Sequence, residues 1–376
     1  MRTLEFSGSP KCIGEAFGES CREEIAALYA IRLANALRDA KTYGRPDASE
    51  SDLLALAAGC LAEVERFHPA GALELSGIAR AAQLTPPQIL AMNGLTDLRD
   101  ALSWGAPPAV AGACTATLVA AERTPDGRAR LAQNWDLASE NGPYVVAVHR
   151  RPDSGPETWS VTTVGCLSLV GINEHGLAVG TTNLRTRDAR VGVPYLNLLH
   201  RALESDNAEQ AAGWIAGARR AGAHSYLLAD ASERVIALEC SASRAQRIEL
   251  RDGVHVQCNH CLEPENREIE SDTPMRSSHA RYARMKALLG AQPRLRSRDL
   301  QAFLADTEGG TLAICRDDFD GISTNASMVL TPSAPEFLAC AGLPSSGGWV
   351  SLLDKGSGEG VAGPREPQAP AAREAR

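Results

Sequence analysis

The sequence predicts an α+β fold in which layered, largely antiparallel sheets are covered by helices. Three observations support this prediction. Apolar side chains recur at helical spacing in the first hundred residues, short β-branched segments alternate with turn residues after Gly112, and helical segments separate the blocks of strands. Strands that follow one another as hairpins pair antiparallel, and helices inserted between strand blocks cover the faces of sheets.

The first part of the chain, residues 1–113, is predicted to be mainly helical. Helices are expected at residues 15–40, 52–67 and 86–102, where leucine, isoleucine and valine follow a helical period. Glycine and proline separate these segments, and the prolines near residue 107 predict a loop after the last of them.

The second part, residues 114–355, is predicted to hold the strands. The expected strands are 114–120, 129–135, 144–149, 159–163, 167–172, 177–182, 225–228, 235–239, 246–250, 254–258, 326–330 and 336–340. The expected helices are 195–203, 207–219 (with Asp206 as its N-cap), 276–289 and 297–305. Residues 356–376 are rich in Gly, Pro, Ala and charge, and we expect them to be disordered.

Composition excludes several classes of function. The chain has 376 residues, of which 44% are hydrophobic, so a packed core is expected. A net charge of −8 argues against non-specific nucleic-acid binding, which needs a basic surface. No apolar run reaches the ~18 residues of a membrane span, and the start lacks the apolar stretch of a signal peptide. Ten scattered cysteines are too few for a disulfide scaffold, and we expect free thiols and a cytoplasmic location.

The most informative segment surrounds Cys114. This cysteine opens a strand directly after a loop, and Gln-Asn-Trp-Asp at 133–136 ends the predicted return strand. Because a hairpin brings its two ends together, Cys114 and Asp136 are expected to be neighbours, and the carboxylate can then orient an amine. From composition alone, a buried cysteine that simply packs at the start of a strand is the favoured explanation of Cys114.

Gly-Ala-Cys-Thr at 112–115 followed by Gln-Asn-Trp-Asp resembles the start of the mature β-chain of isopenicillin N acyltransferases. Those enzymes are N-terminal-nucleophile (Ntn) hydrolases, which cut their own precursor just before a cysteine. The pattern is more distantly similar to penicillin V acylase, bile salt hydrolase and acid ceramidase. The resemblance implies a four-layer αββα fold, self-cleavage between Ala113 and Cys114, a helical pro-segment that stays bound as one half of a heterodimer, and no cofactor.

Further motifs extend this resemblance from about residue 8 to about residue 352. An opening Gly-Ser-Pro at 8–10 and a hairpin at 171–179 resemble family segments, and Ile-Cys-Arg at 314–316 matches a family tripeptide. The resemblance also supplies three site residues. It places an active-site Asn at Asn183, an oxyanion-binding Asn at Asn259 and an active-site Arg at Arg281. A buried Arg stays charged and needs a carboxylate partner, for which Asp136 is the candidate.

Two positions depart from the family pattern. Ala113 stands before the nucleophile where the acyltransferases usually have Gly, and it is small enough to allow cleavage. Ser-Thr-Asn at 323–325 occupies the place of an Arg implicated in the fungal enzyme, so penicillin chemistry is not assumed.

The chemistry that these residues imply is acyl transfer. A thiol is mostly protonated at neutral pH and needs a base. The α-amine of a new N-terminal Cys114 supplies one, since such amines titrate near ~7.7–8.0. The substrate is then an amide or a thioester, acyl-CoA among the candidates, and water or an amine takes the acyl group.

Other interpretations of the sequence stay open. Cys114 can belong to an unprocessed, papain-like thiol hydrolase with His260 as its base, or to a non-catalytic binding protein on the same scaffold. Cys240, Cys258, His260 and Cys261 can be considered as metal ligands, but their spacing fits no common zinc pattern.

Overall fold

The computed structural model describes residues 1–42, 45–103, 113–272, 275–318 and 320–353, together with the backbone of residues 359–360. The loop expected near residue 107 lies outside these residues, as does most of the tail.

The N-terminal part begins with a strand, β1 (Thr3–Gly8), and continues as a layer of helices. The helices are α1 (Pro10–Ser20), α2 (Arg22–Thr42), α3 (Glu50–Phe67), α4 (Pro69–Ala82) and α5 (Pro86–Leu102). Side chains of Ser9, Ser49 and Thr85 accept hydrogen bonds from the first turns of α1, α3 and α5, and so satisfy N–H groups that have no partner within the helix.

The rest of the chain alternates strands and helices. The strands are β2 (Ala113–Val119), β3 (Arg130–Ala138), β4 (Val145–Pro152), β5 (Thr158–Thr163), β6 (Val170–Asn173), β7 (Leu177–Asn183), β8 (His224–Asp230), β9 (Val235–Cys240), β10 (Ala245–Leu250), β11 (Val254–Gln257), β12 (Ile322–Thr331), β13 (Glu336–Ala341), β14 (Val350–Ser351) and β15 (Glu359–Gly360). The helices are α6 (Tyr195–Ala202), α7 (Ala208–Gly217), α8 (Pro264–Arg267), α9 (Arg276–Gly290) and α10 (Ser297–Leu304).

Within the described residues these strands form two sheets. Sheet A has the order β10-β9-β8-β7-β6-β5-β4-β1-β15, and sheet B has the order β11-β2-β3-β12-β13-β14. Every pairing is antiparallel except those that β1 makes with β4 and β15. The antiparallel prediction is therefore confirmed for every strand pairing that does not involve β1.

The two sheets pack face to face, and helices cover their outer sides. Strands β2 and β3 contact β7 and β8 across the interface, while α9 and α10 cover sheet B and α6 and α7 cover sheet A. Alternate side chains of β2 and β3 enter either the core between the sheets or a second core beneath α9 and α10. This is the four-layer arrangement that the sequence predicts.

Several element predictions were wrong in detail. Residues 1–113 contain β1, in which only Phe6 is buried, so the apolar signal of this strand is weak. The helix expected at 15–40 is two helices, and α4 was missed. Asn207 rather than Asp206 caps α7, because its side chain accepts from the Gln210 N–H. Glu359–Gly360 pair with β1, so the expected disorder does not hold at these two residues.

Candidate active site

Cys114 lies near the start of β2, in the interior of the protein. The register of the hairpin pairs Cys114 with Trp135 and Ala113 with Asp136. The predicted closeness of Cys114 and Asp136 is therefore confirmed. The Ala113–Cys114 peptide bond itself lies within the extended strand.

Side-chain alternation separates the groups around Cys114 onto two faces of sheet B. Gln133 bonds to the backbone of Thr181 in sheet A, so Gln133, Trp135 and the paired Cys114 face sheet A. Asn134 donates to backbone carbonyls of Leu304 and Ile314, so Asn134 and Asp136 face the helices α9 and α10. The thiol and the Asp136 carboxylate thus lie on opposite faces.

Asn259 and Arg281 hold the backbone of Cys114. The Cys114 N–H donates to Asn259 Oδ1 at 2.9 Å, and the Arg281 guanidinium donates to the Cys114 carbonyl. Arg281 also donates to Thr115 Oγ1 and to Asn259 Oδ1, both at 2.8 Å, while Asn259 Nδ2 donates to the Asn183 carbonyl at 2.9 Å. Groups distant in sequence therefore fix both the N–H and the carbonyl of Cys114.

The predicted ion pair between Arg281 and Asp136 is not formed, so this prediction was wrong. Both residues lie in the described part of the chain, and neither has the other among its hydrogen-bond or ion-pair partners. Arg281 is 1% exposed, and its hydrogen-bond acceptors are neutral oxygens of Cys114, Thr115, Asn259 and Ser277. Its charge reaches Asp136 only through space, where it lowers the pKa of that carboxyl.

Asp136 is a buried carboxyl with one bonded oxygen. Thr324 Oγ1 donates to Oδ1 at 2.7 Å, and Oδ2 has no partner among the described residues. Burial raises the pKa of Asp136 to about 6, although Arg281, Thr324 and Arg316 act in the opposite direction. A free carboxylate oxygen next to the strand start can receive an amine.

Asn183 ends β7, and its side chain has no hydrogen-bond partner at either polar atom among the described residues. It lines a cavity of about 20 Å³ that also contains Cys114. The other lining residues are Leu95, Thr96, Trp135, Asp136, Leu137, Leu169, Thr181, Tyr195 and His224. A volume of this size accommodates about one water molecule and excludes an acyl group.

A larger pocket of about 600 Å³ adjoins this cavity through Leu95 and Leu137, which line both. Helix α2 contributes Arg32, Arg38 and Asp39 to its wall, and the segment 137–141 forms the opposite side. The pocket therefore lies between the N-terminal segment and the strand-rich part of the chain, and it is large enough for a small organic molecule.

Electrostatics favour the protonated form of the Cys114 thiol in the intact chain. Burial, and then the charge of Asp136, raise the pKa of Cys114 to about 12. A nucleophilic thiolate consequently requires a base close to the sulfur.

Sequence reasoning missed the pair Asp97 and His224. His224 Nε2 lies 2.9 Å from Asp97 Oδ1, and the imidazole ring stacks on Tyr195 with a centroid distance of 4.3 Å. The two residues are 127 positions apart, and neither stands in a motif. Their contact becomes visible only in the folded structure, where both side chains are buried.

The residues of the alternative interpretations are arranged differently. His260 Nδ1 bonds to Ser278 Oγ at 2.7 Å, and burial lowers its pKa to about 4. His260 does not line the Cys114 cavity. No group of three His, Cys, Asp or Glu side chains in the described residues is arranged to hold a metal ion.

Fold and site together define an α+β protein of two facing sheets with a buried cysteine beside Asp, Asn and Arg side chains. The model of the family described as acyl-coenzyme A:6-aminopenicillanic acid acyl-transferase matches residues 123–338. The chain belongs to this family, which confirms the resemblance drawn from its motifs, and it is an enzyme of the acyl-transferring kind. The match contains Asp136, Asn183, Asn259 and Arg281 and begins after Cys114.

The chain is also similar to individual relatives and solved structures. The chain is 25% identical over 330 residues to the acyl-coenzyme A:6-aminopenicillanic-acid-acyltransferase 40 kDa form of Emericella nidulans, with 87% of this chain and 88% of the relative covered. Among solved structures, a variant of the conjugated bile acid hydrolase of Clostridium perfringens is similar at 13% identity and a TM-score of 0.44, over 61% of this chain and 89% of that one. Penicillin V acylase of Agrobacterium tumefaciens is similar at 13% identity and a TM-score of 0.38, over 65% and 89%.

Proposed function

We propose that the protein cuts itself between Ala113 and Cys114 and then transfers or hydrolyses acyl groups through a Cys114 acyl-enzyme. One observation carries this proposal. Buried side chains hold the Cys114 N–H and carbonyl, while the thiol faces the small cavity between the two sheets. Such fixation of one residue's backbone suits a residue whose own amide and thiol take part in chemistry.

Self-cleavage would solve the problem of the missing base. The thiol has a pKa near 12 in the intact chain, but cleavage creates an α-amine on the same residue. That amine retains the Asn259 Oδ1 acceptor at 2.9 Å, and the open Oδ2 of Asp136 can accept a second of its protons. It then takes the thiol proton and passes it to the leaving group.

The remaining predicted residues have roles in this scheme. One N–H of Asn259 Nδ2 bonds to Asn183, and the other is available to the oxyanion of a tetrahedral intermediate. Arg281 fixes the nucleophile and Asn259 together. The unpartnered Asn183 side chain lines the same small cavity as Cys114 and is available to hydrogen-bond the reacting group.

The pocket of about 600 Å³ is the proposed place of the substrate. We expect an amide or a thioester as the acyl donor, with acyl-CoA as a candidate because the Emericella relative carries it in its name. Water as the acceptor makes the enzyme an amidohydrolase, and an amine makes it an acyltransferase. No cofactor takes part in either reaction.

The two halves are proposed to stay together as a heterodimer after cleavage. Strand β1 pairs with β4 over six residues, and helices α1–α5 share one continuous core with sheet A. Separation of the two chains would expose this apolar core to water, and the free-energy cost of that exposure keeps them associated after the peptide bond is cut.

A cytoplasmic location is also proposed. All ten cysteines, each within the described residues, are free thiols, as is usual in a reducing compartment. None of the helices in the described part of the chain combines the length and apolarity needed to cross a bilayer.

Intact mass and N-terminal sequencing of the purified protein test the proposal. We expect fragments of residues 1–113 and 114–376, the second beginning with Cys114, and a single uncut chain for Cys114→Ala. An uncut, folded and active wild type would contradict self-cleavage and favour a thiol hydrolase with a side-chain base. An uncut chain whose Cys114 is inert to thiol reagents would favour a binding protein.

A further inference from the structure

The pair formed by Asp97 and His224 joins the N-terminal segment to the Cys114 cavity. Asp97 belongs to α5, and His224 begins β8, directly opposite Asn183 in the register of sheet A. Both side chains are buried, with His224 only 1% exposed. His224 lines the cavity that contains Cys114, and so does Thr96, the residue before Asp97.

The contacts of Asp97 fix the tautomer of His224. Asp97 Oδ2 accepts the backbone N–H of Tyr195 at 2.8 Å, and Oδ1 meets His224 Nε2 at 2.9 Å. A carboxylate only accepts hydrogen bonds, so Nε2 must carry a proton. The neutral imidazole therefore has its lone pair at Nδ1, and this buried atom has no partner among the described residues.

Self-cleavage and turnover need different bases. While the Ala113–Cys114 peptide bond is intact, the α-amine of Cys114 does not exist. Asp136 is a poor substitute, because its carboxylate bonds to Thr324 on the helix-facing side of sheet B, opposite the thiol. The hydroxyl of Tyr195 is also unsuitable, since burial raises its pKa.

We propose that His224, held by Asp97, accepts the Cys114 thiol proton during self-cleavage, directly or through one water molecule. The inference rests on the self-cleavage proposed above. The sulfur then attacks the Ala113 carbonyl carbon, and the imidazolium returns the proton to the Cys114 nitrogen as the carbon–nitrogen bond breaks. Water hydrolyses the resulting thioester, which leaves an Ala113 carboxylate, the Cys114 thiol and its free α-amine. Asp97 is a positioning residue in this scheme.

Two nearly isosteric variants separate the role of each residue. His224→Gln keeps a donor for Asp97 and removes the base. In Asp97→Asn, the amide oxygen must accept the Tyr195 N–H, so its NH₂ group faces Nε2. Nε2 must then accept, and the proton moves to Nδ1, where it blocks the base.

The matched control is Glu204→Gln. Glu204 bonds to His68 Nε2 at 2.8 Å, in a part-buried histidine–carboxylate pair outside the lining of the Cys114 cavity. This variant likewise removes a carboxylate charge from a buried histidine, together with an ion pair to Arg201, and leaves the site untouched.

The rate of cleavage is measured on the full chain, pulse-labelled by cell-free translation and then chased. We expect His224→Gln and Asp97→Asn to cleave roughly 100-fold more slowly or worse, and Glu204→Gln to cleave at the wild-type rate. Cleavage of both site variants at the wild-type rate would overturn the proposal. A wild type that never cleaves would instead refute the proposed self-cleavage itself.

The tautomer is measured independently of any rate. In the uncut Cys114→Ala chain, ¹⁵N-labelled histidine gives separate NMR shifts for the two ring nitrogens, and the additional change His224→Gln identifies the signals. We expect a proton on Nε2 in the otherwise unchanged chain and on Nδ1 after Asp97→Asn. An unchanged tautomer in a folded Asp97→Asn chain would overturn the role of Asp97.

Discussion

Asn259→Asp separates the two tasks assigned to Asn259, which are to position Cys114 and to bind the oxyanion. The aspartate retains Oδ1 and with it the acceptor for the Cys114 N–H at 2.9 Å and for Arg281 at 2.8 Å. It replaces Nδ2 by an oxygen, which removes the donation to the Asn183 carbonyl and any donation to an oxyanion. It also adds a negative charge beside Arg281, and this charge repels an oxyanion and so acts in the same direction as the lost donor.

The expected magnitudes follow from the lost donor. An oxygen facing the Asn183 carbonyl leaves that buried acceptor unpaired, which costs about 1–3 kcal/mol of stability. Loss of one oxyanion donor lowers kcat by about 10²–10³, or 2.7–4 kcal/mol of transition-state stabilisation. Because the aspartate still accepts a hydrogen bond from the Cys114 nitrogen, the position of Cys114 is kept. We therefore expect KM to change little.

The assay is steady-state turnover of any acyl thioester or acyl anilide that the wild type consumes, together with urea unfolding. Asn173→Asp is the matched control, since Asn173 is buried, donates to the carbonyls of Leu203 and Ser205, and lies outside the cavity lining. We expect the control to lose stability but keep its kcat. Turnover of Asn259→Asp at the wild-type kcat would refute the assignment of the oxyanion donor.

Two further predictions concern stability. The folded pKa of Asp136 is raised from 3.8 to about 6, so the protonated carboxyl contributes stability that is present below about pH 4 and lost as the pH rises through about 6. In the uncut Cys114→Ala chain, the free energy of unfolding should therefore fall by roughly 3 kcal/mol between these pH values, and Asp136→Asn should remove this fall. Urea titration at several pH values measures it, and the same dependence of the free energy of unfolding on pH with and without Asp136→Asn would contradict the prediction. Gly14→Ala should destabilise the protein by about 1–3 kcal/mol or more, because its new methyl group would overlap the backbone carbonyl of Glu74 where α1 crosses α4. Gly213→Ala is the control, since nothing lies within 4 Å of the added atom, and it should stabilise the protein by about 0.5–1 kcal/mol. Equal melting temperatures of the two variants would be inconsistent with this packing.

Local patterns predicted the part of the site that lies on one hairpin. The approach of Asp136 to Cys114 follows from strand pairing and turn position, both of which are visible in the sequence. The alternation of side chains along β3 was equally available, but which face looks toward sheet A depends on packing. For that reason the sequence did not show that the thiol and the carboxylate point in opposite directions.

Partners chosen by long-range packing were not predictable. The sequence analysis paired Arg281 with a carboxylate because a buried charge ordinarily needs one, whereas the fold supplies neutral oxygens from β2 and Asn259. Asp97 and His224 meet only because α5 packs against α6 and brings Asp97 to the first residue of β8. Strand β1 was missed because its stability comes from pairing with β4 rather than from its own short pattern.

The most direct test of Cys114 as an N-terminal nucleophile is the mass of the first peptide of the residue 114–376 fragment, after brief reaction with an acyl thioester and acid quenching. We predict one acyl group on the Cys114 sulfur, removable by hydroxylamine, on a peptide that begins with Cys114 and has a free α-amine. An unmodified Cys114 during turnover, or an acyl group on another residue, would contradict the mechanism.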